Sequence, residues 1–266
     1  MNTAAPQEID RARYVTVGPS EEIDVMLAGV PMRIACWFHD NVAFFREYET
    51  DAMPAFKIVP TDTDMENAQL GFNRMAEREG NVPKNYAMSF LERNAILELA
   101  SAKLLDHDVL LIHGSALSID GTGYIFTAPS GTGKSTHTRL WREVFGDRVR
   151  MINDDKPFIR VGEKGVTVYG SPWDGKHHIS SNDSAPLGGI VWLTRGAENS
   201  IEPMGKAEAF RVLLKQAVRL GGHDEMNKIV GLERSILEKV KFFSLTCNME
   251  REAAITAHNG LECSAR

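Results

Sequence analysis

The chain has 266 residues, 43% of them hydrophobic and 25% charged, with a net charge of −6. That size and balance fit one large α/β domain or a domain with an added layer. The lack of a basic excess argues against nucleic acid and anionic membrane as partners. Cys36, Cys247 and Cys263 are too few and too widely spaced for a disulfide framework or a zinc site. No apolar run approaches membrane-spanning length, and Met-Asn-Thr-Ala-Ala-Pro at the start lacks the basic and apolar parts of a signal peptide. A reduced, cytoplasmic protein is expected.

In chain order, residues 1–10 are expected to be loose, and extended stretches are predicted at Tyr14–Val17, Ile23–Leu27, Val30–Ala35 and Phe56–Val59. The polar run Pro60–Glu66 is predicted as a loop. Leu91, Ile96, Leu97, Leu99, Ala100 and Leu104 recur with helical spacing, which predicts a helix over Met88–Leu105. No chemical motif occurs in residues 1–87, so this part is assigned as a β-rich region serving as scaffold, substrate-recognition or dimer surface. Residues 88–266 are assigned as the catalytic domain.

The pattern changes at Val109. Strands are predicted at Val109–Ile112 and Ala116–Ile119, then the turn Asp120-Gly-Thr-Gly123, then a strand at Tyr124–Thr127. Ala128-Pro-Ser-Gly-Thr-Gly-Lys-Ser-Thr136 follows at once and opens into a helix predicted over His137–Phe145. Strand, glycine turn, Gly-Lys-Ser and helix form the context of a phosphate-binding loop, with Ala128 where the usual pattern has its first glycine. Gly131 and Gly133 allow backbone N–H groups to converge at a helix N-terminus, where the macrodipole also favours an anion. Ser130, Thr132 and Thr136 complete the cradle. Lys134 supplies a charge for the outer phosphates, and Ser135 a hydroxyl for Mg²⁺. The strand feeding the loop is one arm of a hairpin, whereas ordinary mononucleotide folds reach it from a helix within a parallel sheet.

Downstream, a strand at Val149–Ile152 runs into Asn153-Asp154-Asp155, about where a Mg²⁺ ligand and a catalytic base are needed. Two successive residues of a regular strand face opposite ways, so either the chain bends at Asp155 or one carboxylate points away. Phe158–Val161 and Val166–Tyr169 are predicted to form another hairpin, and Gly189–Leu193 a further strand. The C-terminal part is predicted as helices over Lys206–Leu220, Asp224–Lys239 and Glu250–Asn259, with a strand at Phe242–Cys247. His113 ends an apolar strand, and the pattern leaves a core role and a catalytic role equally open. Gly170-Ser-Pro-Trp-Asp-Gly-Lys-His-His178 is either a surface loop or an active-site loop in which Lys176 reaches a phosphate or an acceptor. Arg139, Arg142 and Glu143 are expected on a solvated helix face.

Ile112-His-Gly114, the Asp120 turn, Ser130–Thr136 and Ile152–Asp155, in this order, resemble the fold shared by HPr serine kinase/phosphorylase and ATP-dependent phosphoenolpyruvate carboxykinase. Tyr169–Lys176 and Pro186–Leu193 resemble small HPr-kinase-like proteins, including kinases of lasso peptides. The resemblance covers roughly residues 88–260. It implies a mixed α/β sheet with a phosphate loop entered through a hairpin and with C-terminal helices. It also implies that Lys134 and Ser135 hold ATP and Mg²⁺, that Asp154 and Asp155 bind metal and activate a hydroxyl, and that His113 lies near the transferred phosphate. The metal segment and substrate arginine of the carboxykinase have no counterpart, nor does the arginine- and glycine-rich C-terminal loop of the bifunctional enzyme. The expected function is Mg·ATP-dependent phosphoryl transfer to Ser or Thr of a small protein or peptide, and a homo-oligomer is compatible with it. The alternatives are a carboxykinase-like lyase and a nucleotide-gated binding module.

Overall fold

A computed structural model describes residues 18–218 and 223–265, so the strand expected at Tyr14–Val17 and the loose residues 1–10 lie outside the described residues. The chain divides into two compact units. One comprises residues up to Val25 together with Pro31–Leu99, and the other comprises Met26–Val30 together with residues from Ala100 onward.

The N-terminal part contains strands β1 (Glu21–Leu27), β2 (Val30–Cys36) and β3 (Phe56–Ile58), joined in one small sheet. Helices α1 (His39–Phe45), α2 (Asp62–Arg78) and α3 (Met88–Leu104) accompany them. The loop expected at Pro60–Glu66 is instead the start of α2. Its Thr-Asp-Thr-Asp run is a capping box: the Thr61 hydroxyl accepts from the Asp64 amide, and the Asp64 carboxylate accepts from the Thr61 amide. Polar residues here begin a helix because they satisfy amides that have no intrahelical partner. Met65 and Ala68 of α2 then bury against Leu91 and Ala95 of α3.

The larger unit is built on a nine-stranded mixed sheet. Its main path runs β4 (Val109–Leu111), β8 (Phe158–Gly162), β9 (Gly165–Tyr169), β10 (Ser184–Arg195), β6 (Thr122–Thr127), β5 (Ser115–Ile119), β7 (Val149–Asn153). Strand β12 (Lys241–Cys247) lies parallel to β10, and β11 (Ser200–Pro203), which sequence reading did not foresee, pairs with β12. The strand expected at Gly189–Leu193 starts five residues earlier, at Ser184, because β10 pairs first with β9 and then with β6 and β12. The β5–β6 hairpin is antiparallel as expected, with Ser115 opposite Phe126 and Ile119 opposite Thr122.

Alternation along the central strands supplies two cores. Ile125 and Ile190 join Leu213 of α5 (Lys206–Gln216) and Ile229 and Ile236 of α6 (His223–Lys239). Phe126 and Val191 join Trp141 of α4 (Lys134–Phe145) and Ala254 of α7 (Arg251–Ala265). The helix expected over Lys206–Leu220 stops at Gln216, and Ala217 turns extended to bridge Ile112. Helices thus cover both faces of the sheet, and the hairpin strand β6 ends between them at Thr127.

Candidate active site

The loop Ala128–Lys134 connects β6 to α4. Gly131 and Gly133 have φ of +75° and +115°, a region that side-chain-bearing residues seldom enter. Gly133 is the N-cap of α4, and no side chain caps that end, so the first amides of the helix are directed at the loop. Lys134 is buried, and its Nζ donates to the Ala128 carbonyl oxygen at 3.1 Å. Burial pushes its ammonium below the ordinary lysine range, while Asp155 and Asp154 pull it back. Thr132 closes the loop on itself through its amide and hydroxyl, which both donate to the Pro129 carbonyl. From the end of β10, Arg195 donates through Nε to the Thr132 carbonyl at 2.9 Å and through Nη2 to the Gly131 carbonyl at 2.6 Å.

The aspartate pair escapes the strand alternation. The β5–β7 pairing shifts register between Ala116 and Leu117, so β7 carries a bulge just before its last residue, Asn153. The Asn153 side-chain oxygen accepts from the amides of Asp155 and Lys156 at 2.8 and 2.6 Å, which turns the chain sharply. Asp154 consequently stays buried and accepts from the Ser115 hydroxyl at 2.6 Å. Ser115 in turn lies 3.0 Å from the Thr138 hydroxyl on α4, so this carboxylate is tied to the loop helix. Asp155 points elsewhere, with Oδ1 3.3 Å from His113 Nε2 and Oδ2 3.5 Å from Lys156 Nζ. Burial raises its pKa, but the hydrogen bond from His113 and the charge of Lys156 outweigh this and hold the carboxyl below its ordinary range. His113 and Asp155 keep 29% and 31% side-chain exposure, so solutes can reach the pair. His113 belongs to this polar site, not to the core.

The loop after β9 packs beside the pair. Asn153 Nδ2 donates to the Ser171 and Trp173 carbonyls, and Ser171 Oγ donates to the Lys156 carbonyl. A side chain at Gly175 would stand 3.0 Å from Asp155 Cβ. Lys176 and His177 are exposed on the same turn, and His178 pairs with Asp174 at 3.2 Å. Ser130 is exposed on the loop, whereas Ser135 and Thr136 are half-buried in the first turn of α4.

Sequence reading missed Arg195 and Thr138, and gave Ser115 and Asn153 no role of their own. No local signal marks them, since their partners in the site lie between 18 and 64 residues away, apart from the Asn153 turn. Among the described residues, no group of three or more His, Cys, Asp or Glu side chains could hold a metal ion. Mg²⁺ bound through one or two carboxylates and phosphate oxygens needs no such group. The donor set of Ser135 with Asp154 or Asp155 fits that mode.

No protein-family model matches the chain, and no curated protein matches it in sequence. Among solved structures, it is similar to the HPr(Ser) kinase/phosphatase from Coxiella burnetii, at 8% identity and a TM-score of 0.36. The match covers 59% of this chain and 99% of that one. The likeness is distant. No helix among the described residues is long and apolar enough to cross a membrane.

Proposed function

We propose that the protein transfers the γ-phosphoryl group of Mg·ATP to a Ser or Thr hydroxyl of a small protein or peptide. The observation that carries this reading is the buried Lys134 ammonium, seated in a glycine loop at an uncapped helix N-terminus and within the electrostatic reach of both Asp154 and Asp155. A phosphate cradle, a cation and two carboxylates are what positioning and charge neutralisation require in phosphoryl transfer.

Lys134 and the loop amides take the phosphates. Ser135 and Asp154 would hold Mg²⁺, which would offset the negative charge of the phosphates. Asp155 is ionised at neutral pH and accepts a hydrogen bond from the acceptor hydroxyl, with His113 keeping its carboxylate oriented. As the acceptor oxygen bonds to phosphorus, the bond to the β–γ bridging oxygen breaks. The hydroxyl proton passes to Asp155 late, once bonding to phosphorus has made it acidic. Lys176, exposed on the neighbouring turn, would meet the acceptor or the γ-phosphate.

The test is mass spectrometry of Ser- and Thr-containing peptides after incubation with the protein and Mg·ATP. A phosphate monoester on a hydroxyl is expected, and Lys134→Ala should abolish it while leaving the fold intact. Consumption of oxaloacetate with release of phosphoenolpyruvate would overturn the reading in favour of a lyase. ATP binding without turnover on any peptide would favour a binding module.

A further inference from the structure

An open groove of about 550 Å³ runs along the outer side of the phosphate loop, between Pro129–Thr132 and Trp192–Arg195 of β10. Its volume falls in the range of small-molecule sites. Trp192 is its one aromatic lining residue. Val191 and Leu193, the neighbours of Trp192 on β10, are buried in the core beneath α4, so Trp192 lies on the opposite face of the sheet. There it remains half-exposed, with Lys215 Nζ of α5 5.7 Å from its ring centre. A large aromatic residue left half in water at the rim of a polar loop is placed to stack a flat ligand.

The groove and the phosphate cradle share one piece of chain. Gly131 and Thr132 line the groove, and their carbonyls are turned to Arg195. A ligand filling both places therefore carries phosphates joined by a short link to a planar group. The acceptor side is different: His113 and Asp155 flank β5 and β7, whereas the groove flanks β10, on the other side of β6.

We infer that this groove binds the nucleoside end of the nucleotide, with the aromatic base stacked on Trp192 and with Arg195 as its positioning residue. Arg195 braces the loop carbonyls so that groove and cradle keep a fixed spacing. The inference rests on the phosphate-loop reading above and adds the site for the base.

The experiment compares binding of Mg·ATP and Mg·tripolyphosphate by titration calorimetry and by tryptophan emission. Stacking predicts that ATP binds the native chain roughly tenfold or more tightly than tripolyphosphate. ATP alone should change the emission. Trp192→Leu should remove most of that preference with tripolyphosphate affinity unchanged, and Trp192→Phe should keep most of it while losing the emission change. Unchanged tripolyphosphate binding also reports that the loop is still folded in each variant. If the native chain binds the two ligands equally, or if Trp192→Leu retains the preference, the groove is not the base site even though the phosphate loop stands. If neither ligand binds the native chain, both readings fall.

Discussion

Asp154 and Asp155 are adjacent in sequence, yet their carboxylates have different neighbours. Asp154 is buried on the Ser115 hydroxyl and linked through Thr138 to the phosphate-loop helix. Asp155 is partly open and shared between His113 and Lys156. These surroundings divide the labour in the proposed reaction, with metal on the helix side and acceptor on the open side. Asp154→Asn should therefore weaken ATP use in a way that raised Mg²⁺ or Mn²⁺ partly restores, read as a rise in KM for ATP. Asp155→Asn should lower kcat by about 10²–10⁴-fold with ATP affinity largely kept. Full activity in both variants would reduce the pair to a turn. A reversed pattern would exchange the two roles.

At the level of elements, the site depends on how the strand ends are fastened together. Asn153 leaves β7 and holds both the turn carrying Asp155 and the segment Ser171–Trp173. Gly170 lies where that segment passes closest to β7: a Cβ there would stand 1.9 Å from the Ser181 carbonyl oxygen and 2.8 Å from that of Ile152. Both obstacles are backbone, so neither can rotate away. Gly170→Ala is expected to destabilise the fold by about 1–3 kcal/mol. It should also lower turnover by shifting the loop that abuts Asp155. Thermal melting and kcat measured on the same sample check this, and unchanged values for both would mean that the segment gives way freely.

At the scale of the whole molecule, the layer between α4 and the sheet contains a titratable group that the chemistry does not use. His137 is almost fully buried beside Phe126, accepts from Trp141 Nε1 at 2.9 Å, and lies 3.9 Å from the Cys247 sulfur. Burial pushes its pKa down to about 4 from an ordinary 6.5. Between those values the unfolded chain takes up a proton that the folded chain refuses, so folding stability falls as pH drops from 6.5 towards 4. The loss is on the order of 3 kcal/mol, or about 2–4 °C of melting temperature per kcal/mol. His137→Gln, which keeps an acceptor for Trp141, should melt lower at neutral pH but lose less over the same interval. Parallel losses in both proteins would assign the acid sensitivity to carboxylates elsewhere.

Sequence alone determined whatever depends on neighbours along the chain. The glycines and lysine of 131–134, the turn at Asp120–Gly123 and the period-two strands around them are local, and the hairpin entry to the loop follows from their order. Thr61 and Asp64 are equally local but carry a loop-like signal, because a polar run that caps a helix has the composition of a turn. Tertiary structure decided which way each aspartate faces, because a bulge opposite Ala116 and Leu117 and the Asn153 turn break the alternation that a strand would impose. It also decided that His113 meets Asp155 and that Arg195 braces the loop, across separations of 42 residues (155 − 113) and 64 residues. Such pairings come from strand order in the sheet, and the periodicity of a single strand carries no information about which strand lies beside it.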